Sequence, residues 1–178
     1  RRAIIESNCL RGYKMTTAAG HNTRTAGSFR QRFDTAVNAR NSLLCLGLDP
    51  DPNRIPVGVS VEDFLIGIIE ATSDLVCAYK PNTAFFEQLG DDGWRILREV
   101  INHVPDETPV LLDAKRGDVG HTAAAYAAAL FDWAGADAVT LNPYLGFDAL
   151  EPFLSYEDRH IFILCRTSNP SAGDLQDL

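Results

Sequence analysis

Five short, almost uninterrupted apolar runs organise the chain, at 43–48, 75–79, 110–112, 138–141 and 161–165. A run that is apolar at consecutive positions has no face to give to water, so as a strand it must be covered on both sides. Segments with helical periodicity lie between the runs. Residues 61–71 carry Phe64, Leu65, Ile68 and Ile69, and residues 92–103 carry Trp94, Leu97, Val100 and Ile101. An alanine-rich stretch over 120–134 would be closed by Gly135, and 147–154 is a shorter candidate. Ahead of the first run, Ser28 and Gln31 spell a capping box for a helix over 28–41, with Phe29, Phe33 and Val37 on one face. Strands alternating with amphipathic helices at intervals of roughly 30 residues are βαβ units. They predict an α/β fold built on a parallel sheet.

A doubly wound open sheet and a (β/α)8 TIM barrel share that alternation. The polar residues separate them. Each run delivers polar groups at its carboxyl end: Asp49, then Lys80-Pro81-Asn82, then Asp113 and Lys115, then Asn142, then Thr167-Ser168-Asn169. A barrel draws its site from many strand ends, whereas an open sheet concentrates it at one switch point. Neither a GxGxxG nor a GxxxxGK[ST] pattern occurs, so dinucleotide and P-loop readings find no footing. The expectation is a TIM barrel of which only about the first five βα units are present, because a complete one takes about 250 residues and this chain has 178.

Residues 1–27 are polar and without periodicity, and their one apolar run, Ala3-Ile4-Ile5, is far shorter than a signal-peptide core. They read as a disordered extension with the start at Met15, the only methionine, leaving 28–178 as the partial barrel domain. At the other end 168–173 reads as a loop, after which the chain breaks off within the fold. Sixteen basic against 24 acidic residues, a net charge of −8, speak against a nucleic-acid partner. No apolar run reaches the roughly 18 residues of a membrane helix. The four cysteines, Cys9, Cys45, Cys77 and Cys165, stand far apart and read as buried thiols of a reducing cytoplasm. The four histidines are scattered, so no metal or cofactor is expected.

The chemistry-bearing residues stand out by rarity. Of sixteen basic residues only Lys14, Lys80 and Lys115 are lysines, and two of these directly follow apolar runs. In Leu111-Leu112-Asp113-Ala114-Lys115-Arg116-Gly117-Asp118, residues two apart on a strand share a face, which brings Asp113 and Lys115 together. A buried ion pair is a poor stabiliser, so its presence at a strand end favours a functional role. Asp118 falls in the turn that opens the alanine-rich helix, where a purely structural role would be that of N-cap.

The pattern Asp113-x-Lys115-x-x-Asp118 resembles the signature of the orotidine 5′-phosphate decarboxylases, and the surrounding text resembles their bacterial type 2 branch. The likeness continues in order through 42–51, 79–87, 112–123, Asn142-Pro143-Tyr144-Leu145-Gly146 and Thr167-Ser168-Asn169-Pro170, with Val119 where isoleucine is common. It implies decarboxylation of orotidine 5′-monophosphate to UMP, in de novo pyrimidine biosynthesis, without a cofactor. Lys115 would protonate C6 as CO2 leaves, Asp113 would face the substrate carboxylate, and Lys80 would hydrogen-bond Asp113 and the ribose. Asp49 would bind ribose hydroxyls, with Asn82 a further substrate contact and Ser168 at the pyrimidine. Asp118 and Thr122 would reach into the neighbouring subunit of a homodimer. The phosphate-gripping residues would belong to later units. A carbanion with no adjacent carbonyl needs preorganised charge, and a fixed ammonium supplies it. Two alternatives remain: a catalytically inactive half-barrel, and a Mg2+-dependent sugar-phosphate decarboxylase or aldolase of the same superfamily. The latter needs further acidic ligands where the second strand ends in Lys80.

Overall fold

The computed structural model describes residues 27–177. Residues 1–26, with Met15, Cys9 and all of the expected 1–27 extension but Gly27, lie outside the described residues.

The chain opens with α1 (Phe29–Arg40), held at its start by the expected capping box: Ser28 Oγ accepts from the Gln31 amide, and Gln31 Oε1 accepts from the Ser28 amide at 2.9 Å. Asn41 ends it in the left-handed conformation. Then β1 (Cys45–Leu48), α2 (Val61–Thr72), β2 (Ala78–Pro81), α3 (Thr83–Glu87), α4 (Gly93–His103), β3 (Leu111–Arg116), α5 (Gly120–Ala127), β4 (Ala138–Leu141), α6 (Glu151–Leu154), β5 (His160–Ile163) and α7 (Gly173–Gln176) follow in turn. The strands pair in parallel as β1–β2 and β3–β4–β5, and single bridges, Tyr79 with Val110 and Asn82 with Asp113, join β2 to β3. Every neighbour in space is therefore the neighbour in sequence. A doubly wound sheet reverses its strand order at the switch point. The order 1-2-3-4-5 never reverses, which is the winding of a barrel.

Alternation along the strands sorts their side chains into two faces. Leu46 and Leu48, Tyr79, Leu112 and Ala114, Val139 and Leu141, and Ile161 lie in or against the main core, together with Leu65 and Ile69 of α2, Leu97, Val100 and Ile101 of α4, and Phe153 of α6. The core thus sits between the strands and the outer helices. The alternate residues face the barrel interior: Cys45 and Gly47, Ala78 and Lys80, Leu111 and Asp113, Ala138 and Thr140, His160 and Phe162. α1 closes the amino ends of the strands. Ala36, with Phe33 and Val37, packs on Cys77 and Ala78, and Phe29 stacks on His160. Arg32 of α1 reaches fully buried Asp137 and pairs with it, alongside Arg159 at 3.2 Å.

Two expectations change. The alanine-rich helix does not run unbroken to Ala134: α5 stops at Ala127, and Ala128–Trp133 winds as a π-helix before Gly135 turns at φ 78°. α3 and α7 are short helices for which the sequence offered no expectation. Cys45 and Cys165 are exposed, and only Cys77 is buried among the described cysteines. Cys45 opens β1 and Cys165 follows the end of β5. The N-cap of α5 is Val119, so Asp118 does not take the purely structural role that its place in the turn left open.

Candidate active site

The carboxyl ends of β2, β3 and β4 carry one polar network on the interior face. Asp113 is its centre. Its Oδ1 accepts from Lys115 Nζ at 2.7 Å and from Thr140 Oγ1 at 2.7 Å. Its Oδ2 lies 3.6 Å from Lys80 Nζ and accepts from Asn82 Nδ2 at 3.5 Å. Asn82 in turn caps α3 through the Ala84 amide, and its own amide donates to Asp49 Oδ1 at 3.1 Å. Burial alone would raise the Asp113 carboxyl. The hydrogen bonds from Lys115 and Thr140 and the charges of Lys115 and Lys80 outweigh it, so the group sits below its ordinary value. The centre is an ionised carboxylate between two ammonium groups. The Asp113 side chain is 11% exposed and that of Lys115 48%, so the anion is enclosed while the cation stands open to a ligand.

Asp113 and Lys115 meet, though not by regular alternation. The β3–β4 register shifts between Leu112 and Arg116, and Lys115 has φ 48°. A non-glycine residue in that left-handed region marks a bulge or a site held by its surroundings. Arg116 anchors the far side: it pairs with Glu87 of α3, donates to the Ala114 carbonyl at 2.8 Å and lies over the Tyr126 ring. Beyond it the chain passes so close to β4 that a Cβ on Gly117 would stand 2.4 Å from the Asn142 carbonyl oxygen.

The structure thus gathers Asp49, Lys80, Asn82, Asp113 and Lys115. Asp118 stays outside the network, its carboxylate accepting from the Val119 amide at 2.7 Å. Thr122 lies on the first turn of α5, and Ser168 is exposed beyond β5. Sequence reasoning passed over Thr140. Its signal was available: it is the one polar residue in the run 138–141. Among the described residues no three His, Cys, Asp or Glu side chains cluster as a metal site, and no helix is long and apolar enough to cross a membrane. A cavity of about 380 Å³ lined by Thr35, Arg40, Ser73, Asp74 and Glu107 lies at the opposite, amino end of the strands, away from this chemistry.

Sequential parallel strands with a charged network at their carboxyl rim define an α/β-barrel protein whose site is built on strand ends. Comparison with known proteins agrees and goes further: the model of the Orotidine 5′-phosphate decarboxylase / HUMPS family matches residues 42–178. The chain belongs to that family. It is 55% identical over 155 residues to orotidine 5′-phosphate decarboxylase of Herpetosiphon aurantiacus, covering 84% of this chain and 58% of the relative. The relative of the same name from Dehalococcoides mccartyi is 53% identical over 150 residues, covering 84% and 56%. The solved structure of Leishmania donovani OMP decarboxylase superposes with a TM-score of 0.78 at 46% identity, over 85% of this chain and 58% of that one. The chain therefore spans somewhat over half the length of the relatives it matches.

Proposed function

We propose that these residues form the proton-donating part of an orotidine 5′-monophosphate decarboxylase. The observation that carries this reading is Asp113 held between Lys115 and Lys80 at the strand ends of a barrel of this family. The substrate carboxylate lies beside Asp113. The bond from C6 to the carboxyl carbon breaks, CO2 departs, and the electron pair stays on C6. Lys115 Nζ then delivers its proton to C6, giving UMP, and is reprotonated by water. The ammonium, held 2.7 Å from the Asp113 carboxylate, needs no reorganisation when negative charge develops. Asp49, Asn82 and Lys80 bind and orient the ribose side, and Ser168 addresses the pyrimidine.

Four partners already occupy Asp113, two of them ammonium groups. A divalent cation would meet those positive charges directly, which disfavours the Mg2+-dependent sugar-phosphate reading. The dimer is part of the proposal. Val119 after β3, and Tyr144, Leu145 and Phe147 after β4, leave apolar side chains exposed beyond the carboxyl ends of these strands. A second copy covering them would receive Asp118 and Thr122 at its own site. The cytoplasm is the compartment that fits this reaction.

The test uses Lys115→Ala and Asp118→Ala in the complete reading frame that carries these residues. Each variant alone should lose almost all decarboxylation. Mixed, they should regain activity, since one site of the heterodimer is then intact. Lys115→Ala activity within tenfold of the parent, about 1.4 kcal/mol, would refute the proton donor. Demonstrated subunit exchange without recovery would refute donation across the dimer.

A further inference from the structure

Thr140 is the polar residue of β4 that faces the barrel interior, and its hydroxyl makes two bonds to the centre of the site. It accepts from the backbone amide of Lys115 at 3.0 Å and donates to Asp113 Oδ1 at 2.7 Å. A hydroxyl has one proton and two lone pairs, so giving the proton to Asp113 leaves acceptor capacity for the Lys115 amide. Both ends of that bridge matter. The Lys115 amide lies where the β3–β4 ladder is interrupted, so the partner it takes is a side chain and not a strand carbonyl. Its residue holds φ 48°, a conformation that persists where the surroundings over-determine it.

We propose that Thr140 is the positioning residue of this site: its single hydroxyl fixes the left-handed backbone of Lys115 and orients the Asp113 carboxylate, so that the ammonium and its counter-anion are set by the same atom. The catalytic consequence rests on the decarboxylase reading; the positioning itself does not. The groups facing Asp113 are Lys80 from β2, Asn82 from the β2–α3 junction, Lys115 from β3 and Thr140 from β4. Among these, Thr140 is the one that touches both members of the Asp113–Lys115 pair without carrying charge. Its removal therefore alters placement while leaving the net charge of the site as it was.

Two substitutions separate the hydroxyl from the methyl. Thr140→Val keeps the shape and loses both bonds; Thr140→Ser keeps the bonds and loses the methyl. In the complete reading frame, the Asp113 side-chain carboxyl is titrated by 13C NMR, and kcat and KM are measured with orotidine 5′-monophosphate. Thr140→Val should move the Asp113 midpoint upward, because a hydrogen bond to the charged form is gone. It should lower kcat about tenfold with KM changed less than about threefold. Thr140→Ser should keep both properties within about twofold. An unmoved midpoint or unchanged kcat in Thr140→Val, or Thr140→Ser as impaired as Thr140→Val, overturns the proposal. If Thr140→Val does not fold, Thr140→Ala gives the same comparison against serine. The titration needs no substrate. A protein whose Asp113 responds as expected but which leaves orotidine 5′-monophosphate untouched supports the positioning and refutes the decarboxylase reading.

Discussion

Replacing Arg32 by methionine should cost about 3 kcal/mol of stability, although the residue lies at the end of the barrel remote from the chemistry. Asp137, fully buried, faces Arg32 of α1 through one carboxylate oxygen, which Arg159 also reaches at 3.2 Å. Its other oxygen accepts from the Val110 amide at 2.8 Å. Removing one partner of a buried pair leaves a charge that water cannot reach, at about 3–5 kcal/mol. Arg159 and the Val110 amide remain, which places the loss at the lower end of that range. Methionine fills much of the arginine volume, so little is added for a cavity. With a urea m-value of about 2 kcal/mol/M, the midpoint should fall by about 1.5 M. Trp94 and Trp133, whose rings lie 6.2 Å apart between α4 and the segment after α5, report the transition by fluorescence. Arg32→Met combined with Asp137→Asn removes both charges and should cost less than the two singles added. A midpoint shift below about 0.5 M, or strict additivity in the double variant, would refute the view that a buried charge network fastens α1 across the strands.

Two further outcomes follow from the site. Gly117→Ala sets a Cβ against the Asn142 carbonyl oxygen at 2.4 Å; the β3–α5 turn must move, at about 2–4 kcal/mol, and a denaturation loss below about 1 kcal/mol would show that the turn yields freely. Asp113 is depressed in the folded state, where its hydrogen bonds and neighbouring ammonium groups overcome burial. Its contribution to stability is therefore present above the unfolded carboxyl value of about 3.9 and lost as pH falls through the folded value. Asp113→Asn should flatten the stability–pH curve across that acid window, and an unchanged slope in urea titrations at successive pH values would contradict it.

Strand identity was legible in the apolar runs, and strand limits were legible only where hydrophobicity and hydrogen bonding end together. At β4 they coincide, and the run 138–141 is the strand. At β2 they do not. Leu75 and Val76 belong to the apolar run, yet the ladder begins at Ala78 and continues through Lys80 and Pro81, residues that read as its polar end. β3 likewise continues past Leu112 into Asp113, Ala114, Lys115 and Arg116. The cause is physical: an apolar run records where side chains are shielded, and the ladder records where backbones pair. At a barrel's carboxyl rim the backbone keeps pairing after the side chains have turned polar to meet a ligand. Pairing that outlasts the apolar run at its carboxyl end therefore falls on β2 and β3, the strands that deliver Lys80, Asp113 and Lys115, whereas β1 starts later and β5 ends earlier than its run.

The same cause explains what sequence reading reached in the site and what it missed. Residue types and spacing suffice to bring Lys80, Asp113 and Lys115 to one rim, because parallel strands of similar length end together. They do not reveal that Lys115 stands at φ 48° on a broken ladder. Regular alternation predicts that Asp113 and Lys115 share a face, and they do meet, but through a bulge that moves the lysine out of the pleat. A bulged residue forfeits its ladder partner, so some other acceptor must be found for its amide. Thr140, which reads in sequence as one more β-branched strand former, is that acceptor. Its second bond to Asp113 ties backbone geometry to electrostatics in one hydroxyl. Placing a proton donor accurately thus depends on a neighbouring strand, and that dependence becomes visible only when the strands are set side by side.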